Sequence, residues 1–198
     1  MKLFHSPSSP FVRKVMACAL LRGLASRIEL VPTNPHTSPE GLLAMNPLSK
    51  VPCLATDEGQ AIYDSPVICE YLDGLGDAAS LYPAGPARIA AKTMEALADG
   101  IMDAAVARRM SMGLAQDEGR TAFQSRQQAA VARALDVLEA APPQGLADIG
   151  AVAVACALGY LDFRFGHEPW REAHPKLAAW YSDVSAHPAL SRTAPPPA

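Results

Sequence analysis

Two short segments of this chain combine residue types suited to holding a small polar ligand. Asn46-Pro47-Leu48-Ser49-Lys50-Val51-Pro52-Cys53-Leu54 sets a Val-Pro step between a lysine-bearing turn and a short apolar run. A rigid turn feeding a strand is expected, and a cis Val51–Pro52 bond would leave the Val51 N–H and C=O at a surface. Ten residues on, Asp64-Ser65 opens an apolar run, Val67, Ile68, Tyr71 and Leu72, at helical spacing. That places Asp64 and Ser65 at a helix N-terminus, where free amides and the positive end of the dipole favour a bound carboxylate. One peptide-binding edge and one carboxylate-binding helix end, a strand apart, make a site for a small acidic peptide.

The elements that must position these residues are legible from punctuation and periodicity. Lys2 to His5 reads as a strand ended by Ser6-Pro7. Ser9 suits an N-cap and Pro10 a first helical turn, and Val12, Val15, Met16, Ala19 and Leu20 recur at helical spacing up to Gly23. Ile28 to Val31 is a second strand candidate, Pro32 to Pro39 a loop, and Glu40 to Met45 a short helix. Cys53 to Thr56 and Gln60 to Tyr63 read as a hairpin around Asp57-Glu58-Gly59, and a helix from Ser65 to Leu75 completes the unit. The order β-α-β-α-β-β-α fits a thioredoxin-like α/β domain over residues 1–76. A linker over 77–86 leads to an all-α C-terminal helical bundle over 87–198. Its helices are expected over Ala87 to Gly113, Thr121 to Ala140, Asp148 to Phe163 and Pro175 to Ser185, with Pro195-Pro196-Pro197 a frayed tail.

Composition narrows the classes. The 198 residues are 49% hydrophobic and 19% charged, with net charge −3, which describes a globular chain without a nucleic-acid footprint. The longest apolar stretch, Ile149 to Leu161, is too short to span a bilayer, and no signal-peptide pattern precedes it. Cys18, Cys53, Cys69 and Cys156 are scattered, so reduced, buried thiols in the cytoplasm are expected and metal binding is not.

With Ser8-Ser9-Pro10-Phe11 at the first helix, the arrangement resembles the glutathione S-transferase family, in particular small bacterial members that start Ser-Pro-Phe-Val-Arg-Lys. The resemblance runs over nearly the whole chain. It implies glutathione as co-substrate, a small hydrophobic electrophile, no metal and a symmetric homodimer. Ser9 would stabilise the glutathione thiolate, with Ser8 as the alternative partner and Phe11 alongside. A free cysteine thiol titrates near ~8.5, and one hydroxyl plus a helix end would lower that by about one to two units. The turn carries neither tyrosine nor cysteine, so Tyr-type and Cys-type enzymes are poor models. Val51, with Pro52 cis, would pair with the cysteinyl backbone, and Lys50 and His36 would reach the glycine carboxylate. Asp64 and Ser65 would hold the γ-glutamyl end.

Asp99, Met102, Asp103, Val106 and Arg109 follow at spacings that can share one helix face. In the resembling family this face borders the second-substrate pocket, so Met102, Val106 and Arg109 are expected there. Asp99 could instead reach a γ-glutamyl ammonium across the dimer interface. Ala147-Asp148-Ile149 resembles the family's folding motif, but its cap position reads Gly145, which lacks a side-chain acceptor. Two functions stay open: a transferase that activates the thiol, and a non-catalytic glutathione-binding or regulatory protein on the same scaffold. A dithiol redox protein is excluded at the first helix, which has no C-x-x-C pair.

Overall fold

The computed structural model describes residues 1–196; Pro197 of the expected tail lies outside the described residues. Strand β1 (Lys2–His5) leads to helix α1 (Pro10–Leu21), followed by β2 (Glu29–Pro32), α2 (Glu40–Leu43), β3 (Cys53–Ala55), β4 (Ala61–Ile62) and α3 (Ser65–Leu75). The sheet order is β2-β1-β3-β4. β1 runs parallel to β2 and antiparallel to β3, and β3 runs antiparallel to β4. This is the mixed thioredoxin-like sheet expected from the element order. The loop expected over residues 32–39 contains a 3-10 turn, Pro35–Thr37, because the Asn34 side chain accepts from the His36 amide at 3.1 Å.

The remainder is helical: α4 (Pro86–Met112), α5 (Glu118–Ala140), α6 (Ile149–Phe165), α7 (Pro175–Ser185) and α8 (Pro188–Ser191). α5 starts before Thr121 because the Asp117 carboxylate accepts from the Arg120 amide at 2.7 Å. α8 was not expected; His187 caps it through a ring nitrogen that accepts from the Ala189 amide at 3.1 Å. The cap of α6 is a further correction. Asp148 itself is the N-cap and accepts from the Ala151 amide at 3.0 Å. Gly145 instead turns the chain at φ 53° and offers its carbonyl to the Trp180 indole.

α6 is buried along nearly its whole length, packed against α4, α1 and α7, while α1 is covered on another side by α3. A helix apolar all round needs partners all round, and both halves of the chain supply them. At Gly150 it meets the α4 backbone closely: a Cβ there would lie 2.7 Å from the Ala91 carbonyl oxygen and 2.8 Å from the Met94 Cβ. Neither obstacle is the end of a flexible side chain. Gly150→Ala is therefore expected to lower stability in urea unfolding by about 1–3 kcal/mol, the usual cost of overpacking.

Candidate functional site

The strand register brings the expected residues to one end of the sheet. Phe4 faces Cys53 in the β1/β3 ladder and Leu54 faces Ile62 in the β3/β4 ladder. The C-terminal end of β1, the entry to β3 and the C-terminal end of β4 therefore share an edge, carrying Ser8-Ser9, Val51-Pro52 and Asp64-Ser65 respectively. β2 is parallel to β1, so its exit, with His36 beyond it, lies at the same end. Ser49 joins the two loops by donating its hydroxyl to the Pro35 carbonyl at 3.0 Å.

Buried Asn46 shapes the turn before Val51: its amide donates to the Lys50 carbonyl and its oxygen accepts from the Leu48 amide, both at 3.0 Å. Lys50 projects from this turn, exposed. The Val51–Pro52 bond is cis, and so is Tyr63–Asp64. Among the described residues, neither the Val51 N–H nor its C=O has a hydrogen-bond partner. At the start of α3, Asp64 makes no side-chain cap bond. Ser65 is only 2% exposed, yet its hydroxyl and amide, and the Val67 amide, pair with nothing among the described residues. This is a helix N-terminus with free donors beside a free peptide edge, the combination that binds an anion and a peptide together.

Ser9 is the N-cap of α1, accepting from the Val12 amide at 3.3 Å, which leaves its O–H free to donate. Ser8 lies 3.4 Å from Ser6, hydroxyl to hydroxyl. Both serines line a narrow cavity shared with Arg13, Tyr160 and Thr193. Phe11 is half-buried against the core, and His36 is exposed in its 3-10 turn. The four cysteines are free and buried, and burial lifts the Cys53 and Cys156 thiols to about 11. Those thiols stay protonated near neutral pH and are poor nucleophiles.

The helical half corrects one expectation outright. Met102 is 0% exposed and belongs to the core, so it lines no substrate pocket. Val106 packs half-buried against the same core, and Arg109 is exposed. Asp99 turns inward, with both carboxylate oxygens 2.8 Å from the Lys14 ammonium. A larger cleft of about 400 Å³ between the end of α4 and the start of α5, lined by residues including Met110, Leu114 and Phe123, contains none of the expected site residues.

Sequence reasoning missed the buried charge cluster behind the site. Lys14 is 0% exposed and also reaches Glu95 at 3.1 Å, which ties α1 to α4. Glu95 and Asp99 one turn apart among Ala91, Ala98 and Ile101 were the available signal, because carboxylates on an apolar face require a cation. Burial opposes the Lys14 charge, but Cys69, Asp99 and Glu95, with the Asp99 hydrogen bonds, together outweigh it and hold its pKa above the ordinary lysine value. Burial pushes Asp99 up to about 6 against the pull of Lys14, with Glu95 and Asp103 pushing further. Asp103 is itself raised by partial burial, against the pull of Lys50 and with a further push from Asp64.

Two family models match the chain, the glutathione S-transferase N-terminal domain over residues 8–75 and the C-terminal domain over residues 95–183. The chain is 35% identical over 206 aligned residues to the GST-like protein YibF of Escherichia coli K12, covering 100% of both. A glutathione transferase family member from Pseudomonas fluorescens Pf-5, solved with bound glutathione, superposes with a TM-score of 0.90 at 43% identity, covering 98% of each chain. A structure of a Pseudomonas fluorescens Pf-5 family member with bound S-(propanoic acid)-glutathione superposes with a TM-score of 0.88 at 43% identity, covering 99% of this chain and 100% of that one. The chain belongs to the glutathione S-transferase family and has its fold, a thioredoxin-like domain followed by a helical domain. Among the described residues no helix is long and apolar enough to cross a membrane.

The Asp99 shift has a defined sign. A carboxyl raised to about 6 in the folded state keeps a proton that the unfolded chain releases near ~3.9. Its stabilising contribution is full below that lower pH and is lost as pH rises through about 6. Between pH 4 and pH 7 the wild type should therefore lose roughly 2–3 kcal/mol of stability relative to Asp99→Asn, read from denaturant unfolding at each pH.

Proposed function

We propose that this protein binds glutathione along the β1/β3/β4 edge and activates its thiol for attack on a small electrophile. The observation that carries the reading is the set of free donors and acceptors at that edge: the Val51 peptide groups and the Ser65 hydroxyl and amide. The Val51 groups pair with the cysteinyl backbone. Ser65 and the first-turn amides of α3 receive the γ-glutamyl carboxylate, and Asp64 faces its ammonium. Lys50 meets the glycine carboxylate, with His36 as a second contact. Ser9 donates to the thiolate at the start of α1, and Ser8 is its neighbour in the same cavity. The relatives crystallised with glutathione and with a carboxyalkyl adduct support conjugation as the reaction.

The working unit in this reading is a homodimer in the cytoplasm, where the four buried thiols stay reduced. Val67 on α3 and Ile89 on α4 are 51% and 67% exposed, and Glu70 joins these helices through ion pairs to Arg88 and Lys92. An apolar pair with a polar surround suits a second copy of the same surface. Sedimentation velocity should show a dimer that Ile89→Glu converts to monomer.

Calorimetric titration of glutathione into the wild type and Ser9→Ala, with ultraviolet difference spectra, tests the catalytic reading. Binding with a thiolate band is expected. Ser9→Ala should move that band's titration up by about one to two pH units while much of the affinity remains. Binding without thiolate at neutral pH would leave a glutathione carrier. An absence of binding would remove glutathione from the account altogether.

A further inference from the structure

The cleft where the end of α4 faces the start of α5 contains none of the binding-edge residues, and two helical stripes wall it. Ala107, Met110, Ser111 and Leu114 recur every three or four residues along the end of α4 and just beyond it. Arg120 and Phe123 recur at the same spacing on the first turns of α5. The two helices pack along each other, and at this end they leave about 400 Å³ between them. That is within the range of roughly 300–1,000 Å³ that small-molecule sites occupy. Met110 and Leu114 are exposed apolar side chains on its wall.

The connection between the two helices is tied to both of them. The Gln116 amide donates to the Ser111 and Leu114 carbonyls at 3.2 and 2.6 Å. The Gln124 amide donates to the Gln116 side-chain oxygen at 2.9 Å and to the Ser111 hydroxyl at 3.2 Å. Ser111 is 7% exposed, and among the described residues its own hydroxyl proton has no acceptor. The Arg120 Nε is buried without a hydrogen-bond partner. Among the described residues, no carboxylate lies within ion-pair distance of the Arg120 guanidinium. Asp117, the acid in the lining, spends one oxygen on the Arg120 amide at 2.7 Å as the cap of α5. The cleft thus sets a cation, a hydroxyl donor and the positive end of a 23-residue helix beside an apolar wall.

We propose that this cleft is a second ligand site, which takes an aromatic carboxylate. The ring lies against Met110, Leu114 and Phe123, and the carboxylate meets the Arg120 guanidinium and the Ser111 hydroxyl. Thioether and aromatic side chains both make favourable contacts with a flat ring. A guanidinium fork matches a carboxylate in charge and shape, whereas an amide of the same size brings no charge to it. The site shares no residue with the glutathione edge, so the two are tested apart.

A matched acid and amide, 2-naphthoate and 2-naphthamide, are titrated calorimetrically into the intact protein, alone and with excess S-hexylglutathione. The acid should bind about three- to tenfold more tightly than the amide, and S-hexylglutathione should leave both affinities unchanged. Arg120→Gln should bring the two affinities together. Arg133→Gln, at an exposed position of α5 outside the cleft, should change neither. Leu114→Glu, also at an exposed position, should weaken the acid more than the amide. Absence of naphthoate binding, or equal affinities for acid and amide in the wild type, would overturn the proposal. Displacement by S-hexylglutathione, or a preference for the acid that survives Arg120→Gln, would overturn it as well.

Discussion

A lysine with no exposed surface is held between two carboxylates where the two halves of this molecule meet, and much else depends on that contact. Lys14 comes from the same helix whose N-cap is Ser9, and Glu95 and Asp99 come from the long helix that carries Arg109. Breaking a buried ion pair strands a charge in a medium that cannot solvate it, so the cluster tolerates little relative movement of α1 and α4. The start of α1 and the far end of α4 thereby keep a fixed relation. A reaction between groups held by different helices requires such a relation. Burial raises the Asp99 pKa even against the pull of Lys14, and the nearby Glu95 and Asp103 carboxylates push it further.

The binding edge is organised by a different constraint. Hydrogen-bonding groups at the ends of strands and at helix starts have no partner within their own element. At this sheet end several such groups are left open together: the Val51 peptide, the Ser65 hydroxyl and the first amides of α3. Asn46, wholly inside, spends its side chain on fixing the turn that presents Val51. The start of α1 is closed more tightly, since Ser9 satisfies its own helix. The cap geometry and a thiolate contact are compatible there, because a hydroxyl can accept from an amide and donate elsewhere at once.

The helical half shows where periodicity misleads. Spacing alone put Met102, Val106 and Arg109 on one face, yet a long helix packed against both α5 and α6 buries part of every such face. Met102 went to the core, Val106 to its margin and Arg109 to solvent. The same packing turned Asp99 toward Lys14. The cap of α6 was misplaced for a local reason: a motif spacing pointed to Gly145, whereas the residue with an acceptor side chain, Asp148, stands directly before the first helical turn.

Most of the elements, and the edge where free backbone groups gather, are legible in local signals, though α8 and the α6 cap are not. Caps, prolines, glycines and short apolar runs are local signals, and Ser9-Pro10, Val51-Pro52 and Asp64-Ser65 each mark a place where local geometry leaves backbone groups free. Which side chains of the helical half meet them is set by long-range packing. The ion cluster joins residues about eighty positions apart in sequence. The meeting of Tyr160 with Ser8 and Ser9 in one cavity arises from the packing of α1 against α6. Contacts between distant helices depend on how whole surfaces interlock, and no short segment contains that information.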